Sequence, residues 1–182
     1  MKELLAIISD VEDERLPTMA RELLVLQVEH LRAIETKIAD LDQRLQLQVR
    51  NNEAAKRLTA IPGIGPVIAT AMVATVVNAQ IFPNGRAFAA WLGLTPRQYT
   101  TGGRERLLGI SKRGDGYLRR QLMHGARSLV RVAAGRDGRL WKWIDGLRLR
   151  RHFNIVVAAV ANKLARIIWA VLSRDETYRA SA

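Results

Sequence analysis

A long run without helix-breaking residues most constrains the fold of this chain. No glycine or proline occurs between Pro17 and Pro62. Within residues 18–58, apolar side chains recur at steps of three and four after a first step of seven, which predicts one long α-helix. The apolar seam comprises Leu24, Leu31, Ile34, Ile38, Leu41 and Leu45, with Gln27 and Gln48 as polar members. Charged flanks beside such a seam favour a coiled coil that joins copies of the chain. A long helix packed on its own domain is the alternative.

The long helical run is followed by a turn rich in proline and glycine, IPGIGP at residues 61–66. Its two glycines tolerate backbone angles that other residues resist. This spacing of apolar residues, proline and glycines is the helix-hairpin-helix pattern, predicted over residues 58–78. In such a turn, backbone N–H groups at a helix N-terminus can approach a phosphate. The candidates are Gly63, Ile64 and Gly65. A tight turn between helices that binds no ligand has the same pattern.

Basic residues are concentrated in one part of the chain, whose net charge is +12. Residues 1–59 carry 9 basic and 11 acidic side chains, whereas residues 60–182 carry 20 basic and 6 acidic ones. So large a local excess favours a phosphate backbone as partner over a merely solvated basic surface. The chain has no cysteine and three scattered histidines, and its acids form no cluster, so we predict no metal site.

Residues 94–115 are rich in Gly, Thr and Arg, and we predict a basic loop there with one short β element near 105–111. Thr100 and Thr101 stand in this segment among arginines. A hydroxyl held beside guanidinium groups suits attack on a phosphodiester, because the cations stabilise the charged transition state. Threonines that only bond the backbone of a local turn would give the same pattern.

The remaining segments predict helices. Asn84 is expected to cap a short helix and Asp115 a longer one, and two more helices are expected at 139–149 and 152–173. The last is apolar but contains polar and charged residues, which predicts a core helix rather than a membrane span. The chain is therefore predicted to be mainly α, with a helical assembly segment at 1–58 and a compact helical domain at 59–182.

Four motifs in this order and spacing resemble a known family. They are IPGIGP at 61–66, AAWLGLTPR at 89–97, GISKRGD at 109–115 followed by Leu118 and Arg119, and ANKLARIIW at 161–169. Together, over roughly residues 15–180, they resemble the C-terminal half of the insertion-sequence transposases with a DEDD-type nuclease domain, described as bridge-RNA-guided recombinases.

This resemblance implies an RNase-H-like domain with metal-binding acids, then a coiled coil, then a transposase domain with a nucleophilic serine just before a glycine. The serine position falls on Thr101, with Thr100 as the alternative, so threonine replaces serine here. Because the chain starts near the coiled coil, the nuclease domain and its Mg²⁺ are expected outside it, and no cofactor is expected within it.

The expected function is DNA binding and strand exchange in DNA transposition, in the bacterial cytoplasm at the nucleoid. The alternative is a non-catalytic, nucleic-acid-binding oligomer. Expected partners are DNA, a guide RNA and further copies of the chain, with no membrane. Besides the turn at 63–65, the residues expected to bind nucleic acid are Arg97, Tyr99, Arg104, Arg106, Ser111, Lys112, Arg113, Arg119 and Arg120.

Overall fold

The computed structural model of the protein describes residues 2–10, 16–101 and 104–180, with the backbone alone at 2–4, 9, 101 and 104–107. The chain divides into two units, Met1–Arg44 and Leu45–Ala182. The division precedes the expected boundary at residue 58, since Val49, Ala55 and Leu58 are buried in the core of the second unit.

The first unit contains helix α1, Lys2–Ser9, and most of helix α2, Thr18–Arg50. Arg21 on α2 donates from Nη1 to the carbonyl oxygens of Ile7 (2.7 Å) and Ile8 (3.1 Å), and to that of Asp10. A guanidinium there satisfies carbonyl groups that have no partner within the helix and offsets the negative end of the helix dipole.

The long N-terminal helix is present, but the prediction that it continues to residue 58 is wrong. Helix α2 ends at Arg50, and helix α3, Glu53–Thr59, begins after a break. The Asn52 side chain accepts a hydrogen bond from the backbone N–H of Ala55 at 3.0 Å. Asparagine caps helices well because its side chain replaces a backbone acceptor, so here it starts helix α3.

The second unit is built mainly from helices, as predicted. Its elements after α3 are α4 (Pro66–Thr75), a 3₁₀ turn (Ala79–Ile81), α5 (Gly85–Trp91), strands β1 (Pro96–Thr101) and β2 (Arg104–Ile110), α6 (Gly116–Val132), α7 (Arg139–Arg148) and α8 (Phe153–Arg174). Both predicted caps are confirmed. Asn84 accepts from the N–H groups of Arg86 and Ala87, and Asp115 from that of Leu118.

Helix α8 is the core helix of this unit, as expected. It packs against α3, α5, α6 and α7. The Asn162 side chain donates to the carbonyl oxygen of Leu94 at 3.2 Å, and Trp169 Nε1 donates to those of Ala79 and Phe82. Among the described helices, α8 alone is long and apolar enough to cross a membrane, judged by length and composition.

The segment expected to be a basic loop is largely a β-hairpin. Strands β1 and β2 pair antiparallel, with a register irregularity between Pro96 and Gln98. The β element expected near 105–111 is therefore confirmed, and its partner strand was missed. Both strands carry polar residues at successive positions, so no apolar alternation marks them in the sequence.

Two glycines, Gly93 and Gly114, come into backbone contact at the end of the hairpin where β1 begins and β2 ends. We call this end the foot of the hairpin. Gly93 has φ +71°, and a Cβ there would lie 2.0 Å from the carbonyl oxygen of Arg113. A Cβ on Gly114 would lie 1.8 Å from the carbonyl oxygen of Trp91. The N–H of Lys112 also donates to Gly93 O at 3.1 Å. The chain therefore meets itself backbone to backbone just before helix α6.

A similar contact seats the α3–α4 turn on helix α6. Gly63 has φ +79°, and a Cβ on it would lie 2.8 Å from Leu129 Cγ. A Cβ on Gly125 would lie 2.2 Å from the carbonyl oxygen of Gly63. Gly125 therefore excludes any side chain, because the backbone oxygen of Gly63 cannot move aside as a side-chain atom can. At Gly63 the positive φ disfavours a side chain as well.

We expect Gly125→Ala to destabilise the protein by about 1–3 kcal/mol, because the added methyl overlaps the Gly63 carbonyl. Thermal unfolding followed by circular dichroism should show a Tm lower by several degrees. The matched control is Gly146→Ala in α7, where a Cβ meets no atom within 4 Å. An unchanged Tm for the first variant would contradict this contact.

Candidate nucleic-acid interface

A basic cavity of about 400 Å³ lies between the foot of the β-hairpin and helix α6. Its lining contains cationic and titratable nitrogen groups but no carboxylate. The lining residues are Ile110, Lys112, Gly116, Arg119, Arg120, Met123, His124 and Arg127. Clustered cations without a counter-charge suit a phosphate-bearing ligand. We call this site the basic cavity.

Helix α6 supplies most of the basic cavity because it is amphipathic. Its buried face includes Leu118 and Leu122, whereas Arg120, His124 and Arg127 are exposed. These three follow one another at steps of four and three, which brings them to one side of the helix. Sequence reasoning selected Arg120 and missed His124 and Arg127, although this spacing marks both.

At the same site, Arg119 has a structural role, because it binds backbone carbonyl groups. Its Nη1 donates to the carbonyl oxygens of Leu92 (3.2 Å), Gly114 (3.4 Å) and Asp115 (3.4 Å). The side chain is half-buried and ties the end of α5 to the start of α6. It lines the basic cavity, and its Nη1 positions the loop from which other cations extend.

The GISKRGD motif forms the foot of the hairpin. The N–H of Ser111 donates to Thr95 O at 2.8 Å, and Ser111 itself is half-buried. Lys112 has φ +58°, a left-handed conformation uncommon for lysine. Lys112 and Arg113 are both exposed, and only Lys112 reaches the basic cavity.

Strand register distinguishes the two candidate threonines. Thr101 pairs with Arg104, and Tyr99 with Arg106, whereas Thr100 pairs with Glu105. Directly paired positions of an antiparallel ribbon share one face, so 99, 101, 104 and 106 belong to the same face. Of this set, Tyr99 has a described side chain, 59% exposed, and the side chains of Thr101, Arg104 and Arg106 lie outside the described part.

Both threonines stand far from the foot of the hairpin. Thr100 and Arg97 are exposed on β1, and Thr101 is its last residue. From Pro96 to Thr101 the strand extends roughly 17 Å at about 3.3 Å per residue. Of the predicted residues, the two threonines therefore lie at the tip end of the hairpin, whereas Lys112, Arg119 and Arg120 line the basic cavity at its foot.

The three residues of the α3–α4 turn that are predicted to bind phosphate differ in how their backbone N–H groups are used. The N–H of Ile64, which is 4% exposed, donates to Ile61 O at 3.0 Å and is used within the turn. Gly65 is exposed, and a Cβ there would meet nothing within 4 Å. In the described ranges, the N–H groups of Gly63 and Gly65 donate to no protein acceptor. The two glycines therefore keep free donors, and Ile64 does not.

Among the side chains that the structure describes, no three from His, Asp or Glu lie together so that they could hold a metal ion. The chemistry of the interface, as far as the structure describes it, consists of cations, hydroxyls and backbone N–H groups.

Residues 55–141 match the family model described as "Transposase IS116/IS110/IS902 family". The chain is also similar to a probable family 20 transposase of Pseudomonas aeruginosa, with 47% identity over 97% of this chain and 52% of that protein. A transposase for insertion sequence element IS1111A of Coxiella burnetii is 42% identical over 91% of this chain and 45% of its own length.

A third relative is the transposase for insertion sequence element IS1328 of Yersinia enterocolitica, 38% identical over 92% of this chain and 50% of that protein. The chain thus spans about half the length of the curated relatives it matches. The expected resemblance to insertion-sequence transposases is confirmed at the level of the IS116/IS110/IS902 family, which residues 55–141 match.

Proposed function

We propose that this chain is the part of an insertion-sequence transposase that binds DNA and, with a nuclease domain outside it, carries out strand exchange. The observation that carries the proposal is the basic cavity, which has cations and no carboxylate in its lining and lies at the foot of the threonine-bearing hairpin. Its relatives are named transposases, and DNA is the polyanion on which transposases act.

Phosphate binding would use the exposed cations of the basic cavity. Lys112, Arg120 and Arg127 each offer a charge to the DNA backbone. Their long side chains reach phosphates on one side of a duplex, and each contact releases condensed counterions. Arg113 at the foot of the hairpin and Arg97 on β1 are further exposed cations. The Gly63 and Gly65 N–H groups add donors at the N-terminal end of α4, where the helix dipole favours an anion.

Thr101 is the better candidate nucleophile of the two threonines. Its Oγ would form an ester bond to a DNA phosphorus as the strand's own oxygen leaves, so the number of P–O bonds is unchanged. The register sets an arginine opposite Thr101 and a glutamate opposite Thr100. A carboxylate beside Thr100 would repel an incoming phosphate, whereas a guanidinium would stabilise the developing charge. Threonine is more hindered than serine, since its Cβ is branched.

Helix α2 would join copies of the chain. Every residue from 31 to 44 is exposed, including the seam residues Leu31, Ile34, Ile38 and Leu41, whereas Leu24 and Leu45 are half-buried. Leu31 is 38% and Ile38 53% exposed. Water-exposed apolar residues at heptad spacing are the surface that a coiled coil buries.

The resemblance adds further proposals. The nuclease domain would be of the DEDD type with Mg²⁺, a guide RNA would accompany the DNA, and the complex would act at the nucleoid in the bacterial cytoplasm.

For DNA binding, we expect the wild-type affinity for duplex DNA to fall about 10³–10⁵-fold between 50 and 200 mM salt, if six to ten phosphates are contacted. The double variant Arg120→Gln/Arg127→Gln should lower the magnitude of the log–log salt slope by about two. Fluorescence anisotropy with a labelled duplex measures both quantities.

The matched control is Arg151→Gln/Arg174→Gln, which removes the same charge from exposed positions outside the basic cavity. Binding that is independent of salt, or an equal loss in both double variants, would contradict a specific role for the basic cavity.

For strand exchange, we expect a covalent protein–DNA adduct on denaturing gels when the chain is mixed with element-end DNA, Mg²⁺ and guide RNA. The mixture also contains the part of the Pseudomonas aeruginosa relative that this chain does not span. Thr101→Ser should retain the adduct and Thr101→Ala should lose it, because only the hydroxyl reacts. Thr100→Ala is the control that keeps it. Absence of an adduct under all these conditions would favour the alternative of a binding oligomer without catalysis.

For assembly, we expect the full chain to elute as a dimer or higher species in size exclusion with light scattering. Ile38→Glu should shift it towards monomer, because a charge in the seam cannot be buried cheaply. Glu35→Gln, off the seam on the same helix, should leave the mass unchanged. A monomeric wild-type chain would disprove the coiled coil.

A further inference from the structure

The second unit has another concave surface, which shares no lining residue with the basic cavity. It is a cavity of about 490 Å³ between helices α7 and α8 and the segment after α8. We call it the aromatic groove. Its lining is Pro62, Asp137, Gly138, Arg139, Leu140, Trp141, Trp143, Lys163, Ile167, Tyr178, Arg179 and Ala180. Its volume falls in the range of small-ligand sites, roughly 300–1,000 Å³.

Aromatic rings with unused donors distinguish this groove. Trp141 and Trp143 are half-buried, and within the described part of the chain neither indole N–H donates to a protein acceptor. By contrast, Trp169 Nε1 donates to two carbonyl oxygens in the core. An indole usually finds a hydrogen-bond partner when it is buried, so these two side chains keep an apolar surface and a donor for a ligand.

Cations stand beside these rings. Lys163 Nζ lies 4.8 Å from the ring centroid of Trp143, and Arg136 lies 4.9 Å from that of Trp141. Arg139 and Arg179 also line the groove. Its lining includes a single carboxylate, that of Asp137. The groove therefore combines flat apolar surfaces with positive charge at short range.

The groove continues into a larger cavity of about 930 Å³. The two share Lys163, Ile167, Tyr178 and Arg179. The larger cavity adds two cations, Arg86 and Arg166, and one carboxylate, Glu176. Burial raises the pKa of the Tyr178 phenol, so it stays neutral at physiological pH and adds no negative charge. A chain-like anion that enters the groove could continue along this basic path.

We propose that the aromatic groove binds an unpaired nucleotide of a single-stranded nucleic acid, with the base against Trp141 and Trp143 and phosphates on Lys163, Arg139 and Arg179. Aromatic surface and cations in one groove are what single strands require, because every unstacked base has a flat face and every nucleotide a phosphate. A duplex keeps its base faces stacked inside and cannot present them to indoles in a concave site.

The inference rests on the proposed function only in that both surfaces bind nucleic acid. The basic cavity would hold a duplex backbone, and the aromatic groove a strand that is not paired. DNA and RNA strands share this chemistry, and the experiment separates them.

The first test uses the unchanged full chain. Oligomers of twelve deoxythymidines or twelve uridines, with one 5-iodouracil near the middle, are photo-cross-linked to the protein, and the attachment sites are mapped by mass spectrometry. We expect cross-links at Trp141, Trp143 or Tyr178 with at least one of the two oligomers, and the stronger cross-link identifies the preferred sugar. Cross-links found solely in residues 96–127, or none at all, would overturn the proposal.

The second test uses variants. Trp141→Ala should weaken single-strand binding about tenfold, since stacking is lost, whereas Trp141→Phe should stay within about threefold of wild type. Affinity for a twelve-pair duplex should be the same in both variants. Circular dichroism must show the wild-type Tm for each. Should Trp141→Ala lower Tm, the charge variant Arg179→Gln at an exposed position replaces it, with an expected loss of about threefold or more.

The control is the variant Trp91→Phe. Trp91 lies on α5, packs with Phe82 and Phe88, and does not line the groove. Single-strand binding that is equally weak in Trp91→Phe and Trp141→Ala would overturn the proposal, as would unchanged binding in both Trp141→Ala and Arg179→Gln. Loss of duplex binding in Arg120→Gln/Arg127→Gln with intact single-strand cross-links leaves this inference standing, so its failure and that of the proposed function are separable.

Discussion

Burial of one face of helix α8 is the interaction on which the second unit depends. Val157, Val160, Ala161 and Leu164 on this helix are all fully buried, and α3, α5, α6 and α7 pack against it. Each fully buried valine or leucine side chain contributes about 1.5–3 kcal/mol relative to exposure. Because this face of α8 is buried in the core, a different face of the helix, which carries Lys163 and Ile167, lines the aromatic groove.

The helices of the second unit could be predicted because local signals agree with the tertiary packing. Asn84 and Asp115 cap the helices that they were expected to cap. Asn52 also caps a helix through its side chain, but the sequence does not mark it as a cap. It lies in a run without Gly or Pro, where helical propensity alone favours a continuous helix. Strand β1 was missed for a different reason, since a two-stranded ribbon needs no buried face and thus leaves no apolar alternation.

The candidate site could be predicted in part. A sequence shows that Arg119 and Arg120 are basic, but the fold decides that Arg119 binds three carbonyl oxygens while Arg120 is exposed. Likewise, the partner strand decides that Thr101 stands opposite an arginine and Thr100 opposite a glutamate. The aromatic groove brings Pro62 together with residues near 140, 163 and 179, and no sequence spacing encodes such a meeting.

Because Gly93 and Gly114 fix the foot of the hairpin, the length of its strands can change without moving the rest of the second unit. In the described part of the chain, β1 and β2 pair only with each other, and the foot is fixed by backbone contacts. Two residues added to each strand would move the threonine-bearing tip outward by roughly 7 Å. The foot, helix α6 and its arginines would stay in place. The reach of the tip is therefore an adjustable dimension, which evolution or an engineer can change without rebuilding the core.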